Sequence, residues 1–419
     1  MKLSVIIVTR NRVDRLRATL DGLLEAIDLP RGWWEVIVVD NGSRDGTAQV
    51  AVDHPLGIRV IRRPRNEGVA ARNHAFGVAE GDAWLLLDDD SLPLPGTVAA
   101  SLDLFDQHPD TAAIGGRVEL PDGTQEASAL PTVMIHCGVM LRALAVREVG
   151  GLPWDFRRQA EEYDLAFRFW RAGWRVQRYE DLIYLHDKTP GPRRGVLRWD
   201  VRNNLVVADR YLPPRLAAVY RADWLQRYTL LARHHHGTLG RFQAWRGRLE
   251  GRLAGTGYDG RLVLGRDALE AVFGFDRTAE AVTEWSAKHR IRRVALGRLA
   301  KNTFAAHRAC QLLGLDLVGV LDGRDPFVGQ TYRGLPIVRS AADLGRPLDG
   351  VVLTELNPAQ ITAAHTDLHD RTGLPVLQLW QPQLYQDQPF TQRRTLTPHT
   401  PALPKRTGSP AKPNDLRAA

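Results

Sequence analysis

Short apolar runs alternate with amphipathic stretches through the first half of the chain. Residues 3–8, 35–40, 58–62 and 83–87 are short and mostly aliphatic, which is typical of buried strands. Between them, residues 11–26 carry apolar side chains close to the 3.6-residue period of a helix, and residues 69–80 predict another helix. Strands that alternate with helices form a mostly parallel sheet. The pattern therefore predicts an α/β fold.

The pattern changes twice along the rest of the chain. Basic, Trp-containing helices follow the first part, then strands at 294–296, 317–321 and 350–353 alternate with helices again, and a tail rich in Pro, Thr and basic residues ends the sequence. We therefore expect a first α/β domain over residues 1–205, a helical linker over 206–258, a small parallel-sheet domain over 259–382 and a disordered tail over 383–419.

Length and composition agree with a multi-domain globular protein. The chain has 419 residues, more than one hydrophobic core usually serves, and 44% of them are hydrophobic. No apolar run reaches the roughly 20 residues that a membrane-spanning helix needs, and the start has the pattern of a strand instead of a cleaved leader. These features predict a cytoplasmic protein.

Charge and cysteine content narrow the choice of partners. The net charge of +8 attracts phosphate-bearing surfaces, but it comes mainly from Arg spread along the chain, with no basic run interleaved with aromatics. We therefore expect no nucleic acid partner and keep an anionic membrane as a candidate. Cys137 and Cys310 lie far apart, so they provide neither a disulfide framework nor the spacing of a metal site.

Polar residues follow three of the predicted strands. Thr9, Asp40 and Asp88 each come at the carboxyl end of a strand. In open parallel sheets, ligands bind just beyond those ends. The sequence therefore predicts a binding site at this edge of the first sheet.

The acidic run Asp88, Asp89 and Asp90 is the main candidate for chemistry at that edge. Two carboxylates one residue apart can share a divalent cation such as Mg²⁺, whose other positions then take phosphate oxygens. Such an ion offsets the charge that develops on a departing diphosphate. A solvated acidic turn before Pro93 explains the same triplet equally well, because Asp is common in turns.

Four motifs in order decide between these interpretations. Residues 4–12, 36–47, 66–73 and 86–90 closely resemble the successive motifs of family 2 glycosyltransferases, and the resemblance continues to about residue 205. It implies a GT-A fold, in which a nucleotide-binding sheet and an acceptor-facing part form one domain. It further implies that Thr9, Asn11, Asp40 and Arg72 surround the nucleoside, with Asp40 at the base and Asp88 near the ribose.

The same resemblance implies a cation site. Asp89 and Asp90 would hold Mg²⁺ or Mn²⁺ with the diphosphate as the Asp-x-Asp motif of the family, and His186, which follows a predicted strand, would complete the site. A histidine in that position is otherwise a packing or surface residue. The division of tasks among the three aspartates is left open by the sequence.

The acidic pair Glu161 and Glu162 is the candidate for the catalytic base. Residues 159–168 resemble the family's acidic pair followed by Asp-Leu and Arg on a helix, and transfer with inversion needs a carboxylate that takes the acceptor proton. The family usually has Asp where this chain has Glu162, so Glu161 remains a rival. Alternatively, the acidic residues favour the helix dipole, and Asp164 with Arg168 forms a surface pair.

Three further motifs are weaker candidates for a functional site. The glycines of residues 255–260 follow a helix instead of a strand, so we interpret them as a linker. The run from His234 to His236 has no acidic partner spaced for a metal. The last domain resembles Rossmann-like domains, but its first loop, 297–301, keeps one glycine, which predicts a degenerate domain used for acceptor binding or assembly.

Together these features predict an inverting, metal-dependent glycosyltransferase. It would move a hexose, deoxyhexose or N-acetylhexosamine from a UDP or dTDP donor to a glycan or lipid-linked acceptor in cell-surface polysaccharide or glycoconjugate synthesis. In bacterial relatives, the helices after residue 205 often lie against the membrane, which suggests peripheral contact with its inner face. The alternatives are a sugar nucleotidyltransferase, which would need a Gly-rich loop after the first strand, and a glycan-binding scaffold without catalysis.

Overall fold

The computed structural model describes residues 2–188, 196–254 and 262–381. The predicted tail over 383–419 and the glycine segment 255–260 lie outside the described residues. Across these described ranges, no helix combines the length and the apolar character that crossing a membrane requires.

The first sheet is mixed and mostly parallel, as the sequence predicts for this fold class. Its strands follow the order β3-β2-β1-β4-β8-β6-β9-β5, with β7 on the edge of β6. Strand β8 runs antiparallel to both of its neighbours, whereas β3, β2, β1 and β4 run parallel. The strands are β1 (Leu3–Thr9), β2 (Trp34–Asp40), β3 (Arg59–Arg62), β4 (Ala83–Asp88), β5 (Ser91–Pro93), β6 (Thr111–Glu119), β7 (Gln125–Glu126), β8 (Val139–Arg142) and β9 (Arg175–His186).

Strand register brings the polar strand ends together. In the parallel ladders of β1, Thr9 lies opposite Asp40, and Val8 lies opposite Asp88. The apolar residues of β1, β2 and β4 are buried on both faces, which is typical of central parallel strands. The buried strands therefore fix the register, and the register fixes which polar residues meet at the carboxyl edge.

Helices cover both faces of this sheet. The segment predicted as a helix over 69–80 is instead a 3₁₀ turn, Gly68–Ala71, followed by one short helix. Gly68 has a positive φ of 73°, and a Cβ there would lie 2.2 Å from the main-chain oxygen of Arg157, so the chain passes this point too closely for regular helix. The helices are α1 (Val13–Ala26), α2 (Thr47–Asp53), α3 (Arg72–Phe76), α4 (Thr97–Gln107), α5 (Ala143–Val149) and α6 (Glu161–Arg171).

Two helices form the segment between the sheets, α7 (Val196–Tyr211) and α8 (Pro214–Ala254). Helix α8 breaks at Gly237, whose φ is 54° and ψ is −126°. A Cβ on Gly240 would lie 1.9 Å from the main-chain oxygen of Ala232, so the chain folds back there. In a straight helix these residues would stand roughly 12 Å apart. After the break, α8 packs on α7 through small residues.

The second sheet has the order β12-β13-β11-β10-β14-β15. All of its pairs are parallel except β12 with β13. Its strands are β10 (Arg293–Gly297), β11 (Asp316–Leu321), β12 (Thr331–Tyr332), β13 (Leu335–Val338), β14 (Gly350–Leu353) and β15 (Val376–Gln378), and its helices are α9 (Arg266–Phe273), α10 (Phe275–His289), α11 (Thr303–Leu312) and α12 (Ile361–Thr372).

An aromatic core joins the two sheets through the helical segment. Phe273 of α9 lies edge-on to Phe167 of α6 at 6.0 Å and contacts Tyr220 of α8 at 4.6 Å between ring centroids. The Tyr220 hydroxyl donates to Asn302 Oδ1 at 2.5 Å, and the Trp224 indole donates to the main-chain oxygen of Lys301 at 2.8 Å. Buried contacts of this kind hold the domains in one arrangement.

The surface pair suggested for Asp164 and Arg168 is in fact buried, which corrects that interpretation. Asp164 is 2% exposed and accepts hydrogen bonds from Arg168 at 2.6 Å and from the Tyr211 hydroxyl at 2.6 Å. Arg168 also donates to the main-chain oxygens of Gly150 and Gly151, each at 2.6 Å. The pair therefore clamps α6 to the preceding loop and to α7.

We predict that Asp164→Ala lowers the free energy of unfolding by about 3–5 kcal/mol, because it leaves the Arg168 cation buried without its carboxylate. The matched control is Asp367→Ala on α12, which breaks an exposed pair with Arg371 at the same helical spacing. That change should stay within about 0.5 kcal/mol of wild type. Urea unfolding followed by circular dichroism measures both, and equal losses would contradict the clamp.

Candidate active site

One cleft of about 920 Å³ lies at the carboxyl edge of the first sheet. Its walls come from that edge, the start of α6, helices α7 and α8, and a loop of the second domain. Of the residues predicted for the site, most line this cleft, whereas Asn11, Asp40 and Asp90 are not part of its lining. The predicted residues in the lining are Thr9, Arg72, Asp88, Asp89, Glu161, Glu162 and His186.

Asn11 and Asp40 support the loop after β2. Asp40 is buried, and its Oδ1 accepts a hydrogen bond from the Ser43 amide at 3.1 Å. Asn11 donates its amide to the Ser43 hydroxyl at 2.9 Å and accepts from the Arg44 amide at 2.8 Å. Both residues therefore shape the same turn at the sheet edge, and their contact with a nucleoside stays a prediction.

Arg72 fixes the position of Asp88. The guanidinium of Arg72 is buried at the start of α3, and its Nη2 donates to Asp88 Oδ1 at 2.6 Å and to the main-chain oxygen of Leu87 at 3.2 Å. A charge-assisted bond of this length holds the carboxylate at the end of β4 in one orientation.

Asp88, Asp90 and His186 converge on one point. His186 Nε2 lies 3.2 Å from Asp90 Oδ1 and 3.9 Å from Asp88 Oδ2, and one ligand atom of each residue lies within 4.8 Å of the others. Two carboxylates and an imidazole are donors that suit a divalent cation such as Mn²⁺, and the oxygens also suit Mg²⁺. These three residues therefore fit the cation that the family implies.

Asp89 points away from that group, which differs from the predicted role as a metal ligand. It is 5% exposed, accepts a hydrogen bond from the Thr9 hydroxyl at 2.6 Å and pairs with Arg12 Nε at 3.1 Å. Burial raises the pKa of Asp89 to about 6, although the bonds to Thr9 and Arg12 oppose that rise. Asp89 and Asp90 form the turn between β4 and β5. In this turn Asp88 and Asp90 have oxygens close to His186, whereas the oxygens of Asp89 bond Thr9 and Arg12.

His186 connects the aspartates to Glu126, a residue that was not predicted for the site. Its Nδ1 lies 2.9 Å from Glu126 Oε2 on β7. Burial lowers the pKa of His186, but hydrogen bonds to Asp90, Cys137 and Glu126 outweigh that effect and raise the pKa to about 12. In the absence of a cation, the imidazolium thus offsets the negative charge of the surrounding carboxylates; a cation bound at Nε2 would take the place of that proton.

Cys137 also lies beside His186, a contact that the spacing of the two cysteines did not predict. Its Sγ falls within 4.8 Å of ligand atoms of Glu126 and His186. Burial raises the pKa of the Cys137 thiol, so it stays protonated and binds a hard cation poorly. The oxygen-rich group around Asp88 and Asp90 is therefore the better cation site.

The acidic pair begins α6 after a constrained turn. Gln159 and Ala160 both adopt left-handed backbone angles, with φ of 66° and 63°. Such angles cost a non-glycine residue of order 1 kcal/mol or more and often occur at functional sites. The turn brings Glu161 and Glu162 to the cleft, where Glu161 is 8% exposed and its Oε2 has no hydrogen-bond partner among the described residues.

The electrostatic surroundings of the two glutamates differ. Burial, and then the neighbouring charge of Glu161, raise the pKa of Glu162 to about 8, whereas Lys301 opposes the rise. Burial also raises the pKa of Glu161, which Arg72 opposes and Asp88 reinforces. A carboxylate whose pKa lies near neutral pH is suited to general base catalysis.

Several cleft residues had no strong signal in the sequence. Arg12 pairs with both Asp89 and Asp90. It belongs to the first motif of the family resemblance, but its sequence position alone did not predict these contacts. Asn357 and Gln360 line the cleft from the second domain, across a long separation in sequence. Tertiary packing alone places them there.

The mixed, mostly parallel sheet with helices on both faces is the architecture of a GT-A glycosyltransferase. Residues 4–158 match the model of glycosyl transferase family 2. This match supports a family 2 glycosyltransferase in this part of the chain.

Similar proteins of known sequence are named as glycosyltransferases. The putative glycosyltransferase EpsE of Bacillus subtilis is 26% identical over 42% of this chain and 70% of its own length. The N-acetylglucosaminyl-diphospho-decaprenol L-rhamnosyltransferase of Mycobacterium tuberculosis is 24% identical over 49% of this chain and 91% of its own length. Among solved structures, residues 1–349 of S. aureus TarS with UDP superpose at a TM-score of 0.48 and 18% identity, covering 80% of this chain and 98% of that one.

The raised pKa of Glu162 predicts a pH-dependent cost in stability. Between the ordinary carboxyl pKa of about 4.3 and the folded value of about 8, the folded state binds the extra proton, so stability falls as pH rises. Glu162→Gln should therefore raise Tm by roughly 2–4 °C at pH 9 and leave it unchanged near pH 4. Thermal unfolding at both pH values measures this, with exposed Glu284→Gln as control. A lower Tm at pH 9 would contradict the assignment.

Proposed function

We propose that this chain is an inverting, metal-dependent glycosyltransferase that moves a sugar from a nucleotide-diphosphate donor, a UDP or dTDP sugar, to a glycan or lipid-linked acceptor. The observation that carries the proposal is that a candidate cation site and a pair of glutamates line the same cleft. Asp88 and His186 lie on its sheet side, and Glu161 and Glu162 lie on its α6 side. A cation site facing a candidate base is what such a transfer requires.

The donor would lie along the sheet edge. Thr9, Asn11, Asp40 and Arg72 would surround the nucleoside as the family resemblance implies, although in this chain Arg72 acts through Asp88. Asp88, Asp90 and His186 would hold Mg²⁺ or Mn²⁺. That cation, when bound, supplies the positive charge that stabilises the departing diphosphate.

The acceptor would approach from the α6 side of the cleft. A carboxylate of the acidic pair takes the proton of the acceptor hydroxyl while its oxygen attacks the anomeric carbon of the donor sugar. The bond from that carbon to the diphosphate breaks, and its electron pair leaves with the nucleoside diphosphate. Attack opposite the leaving group inverts the anomeric configuration.

Glu162 is the better candidate for this base. The charges that act on Glu161 are those of Arg72, Asp88 and Arg158, and the first two belong to the donor edge. The charges that act on Glu162, beyond its neighbour, are those of Asp200, which lines the cleft on α7, and of buried Lys301. A base has to reach the acceptor hydroxyl, so we assign Glu162 to proton transfer and Glu161 to the donor sugar.

Basic side chains in the cleft favour an acceptor that carries phosphate. Arg157, Arg158, Lys188 and Arg227 all contribute to the lining. Guanidinium and ammonium groups bind phosphate oxygens through charge-assisted hydrogen bonds. The name of the mycobacterial relative specifies a diphosphate-linked lipid acceptor for that protein, which agrees with this direction.

A donor screen tests the proposed reaction. UDP-, dTDP- and GDP-sugars are supplied with Mn²⁺ or Mg²⁺, and release of nucleoside diphosphate is measured for wild type and variants. We expect Asp90→Ala to lose the cation-dependent release. Glu162→Gln should bind the donor and lower release by about 100-fold or more, because it cannot accept a proton.

Two controls sharpen this screen. Glu161→Gln should weaken donor turnover less than Glu162→Gln does, and the reverse ranking would exchange their roles. Asp122→Ala removes a fully exposed carboxylate from a turn outside the cleft lining and should behave as wild type. If the wild type binds no nucleotide sugar in the presence of either cation, the proposal is wrong.

The second half of α8 supports peripheral membrane contact. Its outward stripe, which we define as Leu239, Phe242, Trp245 and Leu249, is 47% to 60% exposed, and Arg248 and Arg252 flank it. The inward face consists largely of small residues against α7. Large apolar residues beside Arg on an exposed helix face suit an anionic lipid surface.

We therefore expect the wild type to pellet with vesicles that contain anionic phosphatidylglycerol at low salt. Substituting Phe242→Glu and Trp245→Glu together should abolish pelleting, because the two charges oppose insertion of the stripe. The matched control is Trp33→Glu, since Trp33 is 54% exposed on the first domain. Equal pelleting of both variants would contradict contact through α8.

A further inference from the structure

The first loop of the second sheet uses its own main-chain amides. The Arg298 amide donates to the main-chain oxygen of Leu321 at 2.8 Å, and the Leu299 amide donates to Asp322 Oδ2 at 2.9 Å. The Ala300 amide donates to the Thr303 hydroxyl at 2.8 Å. A dinucleotide pyrophosphate would need such amides. This loop therefore serves another purpose, and its next residue is Lys301.

Lys301 extends from the second domain into the helices beneath the cleft. It is 1% exposed, and its Nζ donates a hydrogen bond to Asn204 Oδ1 on α7. The same Nζ lies 3.2 Å from the ring centroid of Tyr163 on α6 and 4.7 Å from that of Trp224 on α8. The Tyr228 hydroxyl is 3.4 Å away. One amine thus contacts three helices of the first domain and the linker.

This amine contacts the residue that follows the candidate base. Tyr163 follows Glu162 directly in the first turn of α6, so a cation over its ring bears on the backbone that carries Glu162. On its other side, Tyr163 accepts a hydrogen bond from the Ser128 hydroxyl at 2.7 Å. The ring is therefore held between a lysine of the second domain and a loop of the cleft wall.

The second domain also holds that loop. Asn357 Nδ2 donates to the main-chain oxygen of Ala127 at 3.2 Å, and Asn357 lines the cleft. Two separate contacts, at Tyr163 and at Ala127, thus connect the carboxyl edge of the second sheet to the start of α6.

Burying a lysine ammonium costs free energy unless other groups in the protein interact with its charge. Burial lowers the pKa of Lys301 well below its usual value, Arg227 adds to that effect, and Glu162 and Asp200 oppose it. Glu162 in turn is surrounded by Glu161, Asp200 and Lys301. Glu162 and Asp200 thus favour the charged form of Lys301 against burial, and Lys301 in turn favours the ionised form of Glu162.

We propose that Lys301 is a positioning residue for Glu162, so that the second domain is a working part of the catalytic unit and not an appended binding module. Its ammonium fixes the first turn of α6 through Tyr163 and places a positive charge beside the carboxylate. This inference rests on the proposed function of Glu162 as the base.

The test compares the pH dependence of kcat for wild type, Lys301→Met and Lys301→Arg at saturating donor. Lys301→Met keeps the length and removes the charge, so it should lower kcat by about 10- to 100-fold. Without the ammonium of Lys301, Glu162 ionises at higher pH. The acidic limb of the kcat profile should therefore shift to higher pH. The KM for the donor should change less than threefold or so, because Lys301 does not line the cleft. Lys301→Arg should recover part of the rate and the wild-type limb.

A second variant leaves Lys301 in place. Asn204→Asp places a carboxylate in hydrogen-bond contact with the Lys301 ammonium, so the negative charge offsets the positive one. The acidic limb of the kcat profile should therefore shift in the same direction as in Lys301→Met. Gln226→Ala is the matched control, because it removes a different contact to the second domain, the 2.6 Å hydrogen bond to the main-chain oxygen of Thr331, away from the cleft. That variant should keep the wild-type profile.

The outcomes separate this inference from the proposed function. If Glu162→Gln retains full activity, the proposed base is wrong. If Glu162→Gln is inactive while Lys301→Met, or Asn204→Asp where Lys301→Met does not fold, keeps the wild-type pH profile, the role of Lys301 is overturned. A fall in kcat that only follows a fall in Tm, with an unmoved acidic limb, also overturns it.

Discussion

The parallel pairing of β1 with β2 and β4 is the constraint on which the site depends. It places Thr9, Asp40 and Asp88 at one edge, because the carboxyl ends of parallel strands coincide. The aliphatic strands are buried on both faces, so a shift in register would move polar residues into the core. Burial of ordinary Val, Ile and Leu residues therefore determines where the carboxylates meet.

The turn that follows β4 then divides the aspartates. Asp88 and Asp90 face His186, whereas Asp89 braces the edge through Thr9 and Arg12. The acidic run thus combines a ligand group with its own support. Arg72 holds Asp88 and Arg12 holds Asp90, so the carboxylates of the proposed cation site are organised before a substrate arrives, which would reduce the reorganisation that catalysis requires.

The second wall of the cleft depends on contacts between domains. The aromatic core around Phe273 and the buried Lys301 join the second sheet to α6, and α6 carries the acidic pair. The loop after β10 is closed by its own hydrogen bonds, and Lys301, which ends it, contacts α6. The clamp of Asp164 and Arg168 ties the same helix to the loop before it and to α7.

The sequence by itself determined the α/β class, the strands β1 to β4, β10, β11 and β14, and the presence of Asp88 to Asp90 and the acidic pair in ordered motifs. Periodicity and turn residues are local, so the chain displays them directly. It misjudged the helix over 69–80 and the exposure of Asp164, because close approach of Gly68 to Arg157 and burial against Tyr211 are long-range. Only the tertiary structure decided that Asp88 instead of Asp89 joins His186, and that Glu126, Asn357 and Lys301 reach the site. Such contacts join residues far apart in the chain, and no local pattern encodes them.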